Sequence, residues 1–327
     1  MVDQINLALV GSGYWGMKLA SEYIQTHKYD ERFNFIGIAD PDKERLAYVG
    51  NKLNLPSSML FNDVNECLTN PEISAIHIAT PSETHYGIAE KALSQQKHIL
   101  VEKPMALNTR DAFKLARLSE NSGTIVLVGH IFRFNAALSQ AKNILKETGI
   151  GKLNYLYLSW LDYLNPIPNR DIIFDLLPHP IDIINYLTEE WPSSIYARSI
   201  THSRNNNEKT EDVAFVIIEL PDGTLGEINL SWIQTGIKER IVLLTGTEAS
   251  IKIDAMTQEL FVFKTSGETS IPVTRNNTIQ SMISHFVNCI LGVDKPDNSS
   301  LVGALTVNIL SSARKSINQN KVVAIHE

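Results

Sequence analysis

The chain has 327 residues, enough for two domains of ordinary size, and its 43% hydrophobic and 20% charged content describes a soluble globular protein with a full core. A formal charge of −7, with no basic run to track a phosphate backbone, argues against a nucleic-acid partner. No apolar run is long enough to span a bilayer, so no membrane contact is expected. The two cysteines, Cys67 and Cys289, lie far apart and read as buried apolar residues in a reducing compartment. A strand pattern begins almost at the first residue, with no signal peptide ahead of it, and the expected location is the cytoplasm. There is no zinc-ligand spacing, no serine-nucleophile elbow and no internal repeat, so no metal is expected.

Ile5–Val10 is a short apolar run with strand propensity, and it ends directly at Gly11-Ser12-Gly13-Tyr14-Trp15-Gly16. A helical pattern follows through Leu19, Ala20, Tyr23 and Ile24. In that strand–turn–helix setting the first glycine permits the tight turn and the second lets backbone approach a pyrophosphate. The third lets helix and strand pack closely, while the helix N-terminus offers free N–H groups to the anion. The next strand, Phe33–Ala39, ends at Asp40, where a carboxylate can accept from a ribose diol and repel a 2′-phosphate, so NAD is read over NADP. A competing role for Asp40 is to cap the helix beginning at Pro41.

Strands and helices keep alternating. Helices are expected at 42–53, 63–68, up to about 95, and 109–122, with strands at 75–79, 98–101 and 124–128. Such alternation implies a parallel, doubly wound sheet with right-handed crossovers and ligands beyond the C-terminal strand ends. Gly11–Gly16, Asp40, Thr80-Pro81 with His85, Glu102-Lys103-Pro104 and Gly129-His130 all fall at such ends. Lys103 reads either as a functional ammonium aimed over the sheet edge or as a solvated loop lysine paired with Glu102. His85 has a helix-cap alternative, and His77, inside a strand, reads as a packed histidine.

A helix over 136–148 opens the second half. The loop Asn165–Arg170, rich in turn formers, precedes Asp171–Leu187, in which Asp175, His179 and Asp182 share one face of a helix. An imidazole between two carboxylates is poised for proton transfer, with one carboxylate fixing its tautomer. The alternative is a surface helix with ordinary ion pairs. Pro178 and Pro180 place the helix start close to Asp175. Arg133, Tyr163 and Arg170 are candidate substrate contacts, since arginine forks suit phosphate or carboxylate, with surface pairing as the alternative. Strands are expected at 153–161, 194–199, 212–220, 224–233, 239–245, 250–254 and 259–264, a largely antiparallel sheet. One face covers the active-site helix; the other is a candidate surface for a homodimer or homotetramer. Helices near 279–291 and 301–316 close the chain. The expected domains are 1–129, a nucleotide-binding Rossmann domain, and 130–327, for substrate binding and oligomerisation.

These motifs, in order and spacing, resemble the glucose-fructose oxidoreductase, inositol dehydrogenase and rhizopine-catabolism (Gfo/Idh/MocA) family over nearly the whole length. The match rests on Gly11–Gly16, Thr80-Pro81 with His85, Glu102-Lys103-Pro104, and Asp175-x-x-x-His179-x-x-Asp182. The resemblance implies a Rossmann domain followed by an α/β domain with an open, mostly antiparallel sheet. It also implies hydride transfer between a nicotinamide and a hydroxyl-bearing carbon of a sugar, cyclitol or sugar nucleotide. Lys103, Asp175 and His179 then correspond to the family's catalytic residues. Gly11, Ser12, Gly13, Tyr14, Trp15, Gly16, Asp40, Thr80, Pro81, His85, Glu102 and Lys103 are the expected NAD contacts, and Asp175 and His179, with the candidates Arg133, Tyr163 and Arg170, the expected substrate contacts. Pro178 stands where a glycine is common in the family, and Asp171–Phe174 where a glycine pair is frequent. That proline, Gly129-His130 and the run Ser231-Trp232…Lys238-Glu239-Arg240 resemble a subgroup acting on nucleotide-linked sugars, such as a UDP-N-acetylhexosamine 3-dehydrogenase. Pro180, where that subgroup more often has aspartate, departs from it. An inositol or free-sugar dehydrogenase and a non-catalytic NAD-binding sensor are the alternatives.

Overall fold

The computed structural model describes residues 4–147, 149–164, 171–201 and 211–326. The chain divides into two compact units, Met1–Ile131 with Asn277–Leu305, and Phe132–Asn276 with Thr306–Glu327. The chain leaves the first unit after Ile131, and residues 277–305 return to it.

In the first unit the elements are β1 (Ile5–Val10), α1 (Tyr14–His27), β2 (Phe33–Ala39), α2 (Lys43–Leu53), β3 (Leu60–Phe61) and α3 (Val64–Thr69). They continue with β4 (Ala75–Ile78), α4 (Ser82–Ser94), β5 (His98–Val101), α5 (Thr109–Ser122) and β6 (Val126–Val128). The six strands order as β3-β2-β1-β4-β5-β6, and every pairing is parallel. The chain leaves β3 and re-enters on the far side of β1 at β4, so the order reverses there, and the crevice at that point is where such sheets bind dinucleotides. Helix starts tell the same story. Asp42 caps α2, Asp63 and Glu66 form a capping box on α3, and Asn108 caps α5. Yet α1 and α4 begin at Gly13 and Pro81 with no side-chain cap, which leaves their first N–H groups for an outside partner.

The second unit opens with α6 (Ala136–Lys146), β7 (Leu153–Leu161), α7 (Ile172–Leu176) and α8 (Pro178–Thr188). Seven strands follow, β8 (Ser194–Thr201), β9 (Glu211–Glu219), β10 (Leu225–Ser231), β11 (Glu239–Gly246), β12 (Ser250–Asp254), β13 (Glu259–Lys264) and β14 (Gly267–Ile271). After α9 (Thr278–Ile290), which belongs to the first unit, α10 (Ser300–Gln319) leads to β15 (Val323–Ala324). The nine-stranded sheet orders as β14-β13-β12-β11-β7-β10-β9-β8-β15, antiparallel except for β7 with β10. Alternate residues such as Leu158, Trp160, Val216, Leu230 and Val242 form a core with Ile173, Leu177, Ile181 and Ile184 from α7 and α8. On the other face Tyr155, Phe215, Ile217 and Leu225 remain exposed. β14 escaped the sequence reading because Gly-Glu-Thr-Ser-Ile has no apolar alternation, and β3 and β15 because two residues carry no period.

The stretch from Asp171 differs from the single helix expected. It is two helices joined at Leu177, whose backbone stays helical (φ −63°, ψ −26°). Asp171 starts α7 by accepting from the N–H groups of Ile173 and Phe174. Pro178 and Pro180 lack N–H groups, so the hydrogen-bond ladder breaks and restarts with proline in the first turn of α8.

Candidate active site

The glycine turn is built by exclusion. Gly11 has φ +107°, and a Cβ there would lie 2.5 Å from the Ala79 carbonyl oxygen. A Cβ on Gly16 would fall 2.0 Å from the Gly11 carbonyl oxygen, whereas nothing lies within 4 Å of one on Gly13. The first and third glycines therefore serve the close packing of backbone on backbone, and the second faces open space. That space is a cleft of about 930 Å³ lined by Gly11, Gly13, Tyr14, Trp15, Asp40, Arg45, Thr80 and Pro81, among others. Asp40 accepts from both the backbone N–H and the hydroxyl of Ser12 (each 2.7 Å) through Oδ2, and from the Asp42 N–H (2.9 Å) through Oδ1. These donors fix the Asp40 side chain on the cleft wall. The helix after Pro41 is capped by Asp42 and not by Asp40. Tyr14 is 85% exposed at the rim, and the Lys18 ammonium lies 5.2 Å over the Trp15 ring.

Two further strand ends are tied together by His85. Its Nδ1 is 2.9 Å from the Pro104 carbonyl and its Nε2 2.8 Å from that of Thr80. His85, expected as a cofactor contact, is buried and joins two loops, one of which carries Lys103 and the cis Lys103–Pro104 peptide. Burial holds the His85 pKa below its ordinary value, against the pull of the two carbonyls. Glu102, beside Lys103, is buried and lies 3.3 Å from His77.

In the second unit His179 sits in an aromatic box. Phe132 meets it edge-on at 5.1 Å, and Trp160 stacks at 6.4 Å. Arg240 lies 5.6 Å over the Trp160 ring, and Asp162 receives both Arg240 Nη2 and Lys238 Nζ at 3.1 Å. Burial draws the Arg240 pKa down, while Asp162 and then Asp175 draw it up. Asp162, Arg240, Trp160 and Phe132 thus join the residues that surround Asp175 and His179. Sequence reasoning singled out only the Lys238–Arg240 spacing; an acid directly following the alternating run of β7 was the signal for Asp162.

Asp182, three residues after His179, is engaged with an arginine. Its Oδ1 accepts from Arg133 Nε at 2.7 Å, and the same guanidinium donates to Asn185 at 2.7 Å. Both charges are buried, and the Arg133 guanidinium ties the chain ahead of α6 to α8. Tyr163 is 52% exposed, with its N–H donating to Asp162. Arg170 lies outside the described residues. Among the described residues no cluster could hold a metal ion, and no helix is long and apolar enough to cross a membrane.

Comparison with known proteins decides the family. Residues 5–130 match the profile described as an oxidoreductase family with an NAD-binding Rossmann fold, and residues 138–252 match the GFO/IDH/MocA C-terminal domain. The chain belongs to the GFO/IDH/MocA family. Its first unit is thus an NAD-binding Rossmann domain, which the glycine cradle and Asp40 fit. UDP-N-acetylglucosamine 3-dehydrogenase from Acidithiobacillus ferrooxidans is 28% identical over 224 residues, 68% of this chain and 66% of that protein. Its structure superposes with a TM-score of 0.83 at 23% identity, covering 97% of this chain and 98% of that one. The scyllo-inositol 2-dehydrogenase (NAD(+)) of Bacillus subtilis is 24% identical over 99% of this chain and 97% of that protein. Levoglucosan dehydrogenase, solved with NADH and levoglucosan, has a TM-score of 0.89 at 19% identity, covering 99% and 100% of the two chains. The structural likenesses speak for the fold alone. The matched stretch spans 48% of the length of a Comamonas testosteroni dehydrogenase that is also similar.

Proposed function

We propose that this chain is an NAD-dependent dehydrogenase that interconverts a secondary alcohol and a ketone on a sugar or nucleotide sugar, of the UDP-N-acetylhexosamine 3-dehydrogenase type. The observation that carries the reading is His179, set against the rings of Phe132 and Trp160, in a chain whose other unit is an NAD-binding domain. Bound NAD supplies the acceptor or donor of hydride. His179 takes the hydroxyl proton, Asp175 orients the ring, and Lys103 stabilises the developing oxyanion. Lys238 and Arg240, only partly neutralised by Asp162, suit the diphosphate of a nucleotide sugar better than a neutral cyclitol. The similarity to a UDP-N-acetylglucosamine 3-dehydrogenase supports that choice. The exposed apolar sheet face of Tyr155, Phe215, Ile217 and Leu225 suits self-association into a homodimer or homotetramer, and a cytoplasmic location is in keeping with this chemistry.

The test is reduction of the nicotinamide, followed by absorbance, with panels of UDP-sugars, free sugars and inositols. Turnover of a UDP-sugar is expected; turnover confined to inositols or free sugars sinks the nucleotide-sugar assignment, and none with any substrate sinks the enzyme. Lys103→Ala and His179→Ala should each lower turnover by about 10²–10⁴-fold while leaving NAD affinity nearly unchanged. Wild-type turnover in both variants refutes the roles.

A further inference from the structure

A buried chain of polar groups runs through the core of the first unit and ends beside Lys103. The Tyr23 hydroxyl on α1 is 2.9 Å from Nδ1 of His77 on β4, and His77 Nε2 is 3.3 Å from Glu102 Oε1 at the end of β5. Tyr23 and His77 are fully buried, and Glu102 is 7% exposed. The other Glu102 oxygen rests on Gly129, where a Cβ would come within 2.7 Å of it. Residue 129 must therefore be bare for the carboxylate to lie where it does.

The protonation states follow from the surroundings. Burial, and then the charge of Glu102, push the Tyr23 phenol well above its ordinary pKa, so it remains a donor. A phenol donating to Nδ1 leaves the proton on Nε2, which donates to Glu102. Burial alone would push Glu102 up, but His77, then Trp15 and Lys103, hold its carboxyl below the ordinary value. The result is a buried carboxylate kept ionised.

Its place gives that charge a use. In a sheet of two mononucleotide halves the glycine turn and Asp40, on β1 and β2, serve the adenosine side, and the ends of β4, β5 and β6 serve the nicotinamide side. Glu102 lies at the end of β5. The oxidised nicotinamide ring is a cation and the reduced ring is neutral. We propose that Tyr23, His77 and Glu102 form a buried relay that biases the bound cofactor toward its oxidised form. Glu102 supplies the charge, and His77 and Tyr23 are positioning residues that keep it ionised and fixed. This deepens the cofactor half of the reading above and requires no substrate, so the relay and the catalytic roles of Lys103 and His179 can fail separately.

The experiment is equilibrium titration of the full chain with NAD⁺ and, separately, with NADH, reading the ratio of their dissociation constants. Glu102→Gln removes the charge and keeps the shape, and the NAD⁺/NADH ratio should rise on the order of tenfold, the size of one charge–charge interaction at an effective protein dielectric. His77→Leu, which strips the carboxylate of its buried donor and drives it to take up a proton, should move the ratio the same way. Glu102→Asp, which retains the charge, should stay near the wild-type ratio even if both affinities fall. An unchanged ratio in Glu102→Gln, or in His77→Leu if the first variant does not fold, overturns the relay; so does an equal loss of both affinities, which would mark the cluster as packing.

Discussion

Removing the Arg133 guanidinium separates a structural clamp from a substrate contact. Its side chain is 5% exposed and that of Asp182 1%, so Arg133→Met leaves a carboxylate buried on α8 without its principal cation. Breaking one side of a buried pair costs about 3–5 kcal/mol, because the remaining charge keeps its desolvation penalty and loses its attraction. The hydrogen bond to Asn185 and the stacking over Tyr186 at 5.6 Å are lost as well. A loss of that size is a large share of the about 5–15 kcal/mol that holds a typical domain folded. Denaturant unfolding should report it, and the double variant Arg133→Met with Asp182→Leu should recover much of it, since both charges are then gone. Stability within about 1 kcal/mol of wild type, together with a raised KM for substrate, would refute the clamp and return Arg133 to the substrate.

Three further outcomes are expected. Asp40→Ser should weaken NAD binding about tenfold or more, through loss of a charged acceptor, and narrow the gap to NADP; a titration with both cofactors in which NAD affinity is retained would disprove a role for the carboxylate. His85 and His98 both have pKa values lowered by burial. Below an unfolded value of about 6.5 the unfolded chain takes up protons that these rings resist. Their contribution is therefore complete above that pH and falls as pH drops toward their folded values, so the melting temperature should decline on acidification, and less steeply in His85→Gln. A variant with the wild-type slope would show that His85 is not part of it. Finally, Phe215→Glu on the open sheet face should shift the mass in solution toward the monomer, and an unchanged mass would mean that assembly, if any, uses another surface.

The local frame of the cofactor cleft was legible in the sequence. A strand, a glycine turn and an uncapped helix lie within Ile5–His27, and local periodicity with glycine chemistry suffices to read them. The same holds for the place of Asp40 on the cleft wall, marked by the end of an apolar strand. The alternating strands of the second unit were equally open to inspection, which is why its sheet was read correctly apart from β14 and β15.

What sequence could not decide is which charge meets which. Asp175, His179 and Asp182 share a helical face by spacing, but that Asp182 also meets Arg133, 49 residues away, has no local signal, and the helix is broken at Leu177 by prolines whose effect depends on where the ladder restarts. Nor could it show that His85 lies between two carbonyls, or that His77, which looked like simple packing, is the middle of a hydrogen-bonded line. Helix and strand period are properties of contiguous residues, so one chain suffices to read them. The partner of a buried polar group is set by whichever distant donor or acceptor packing brings within about 3 Å, and only the tertiary structure supplies that neighbour.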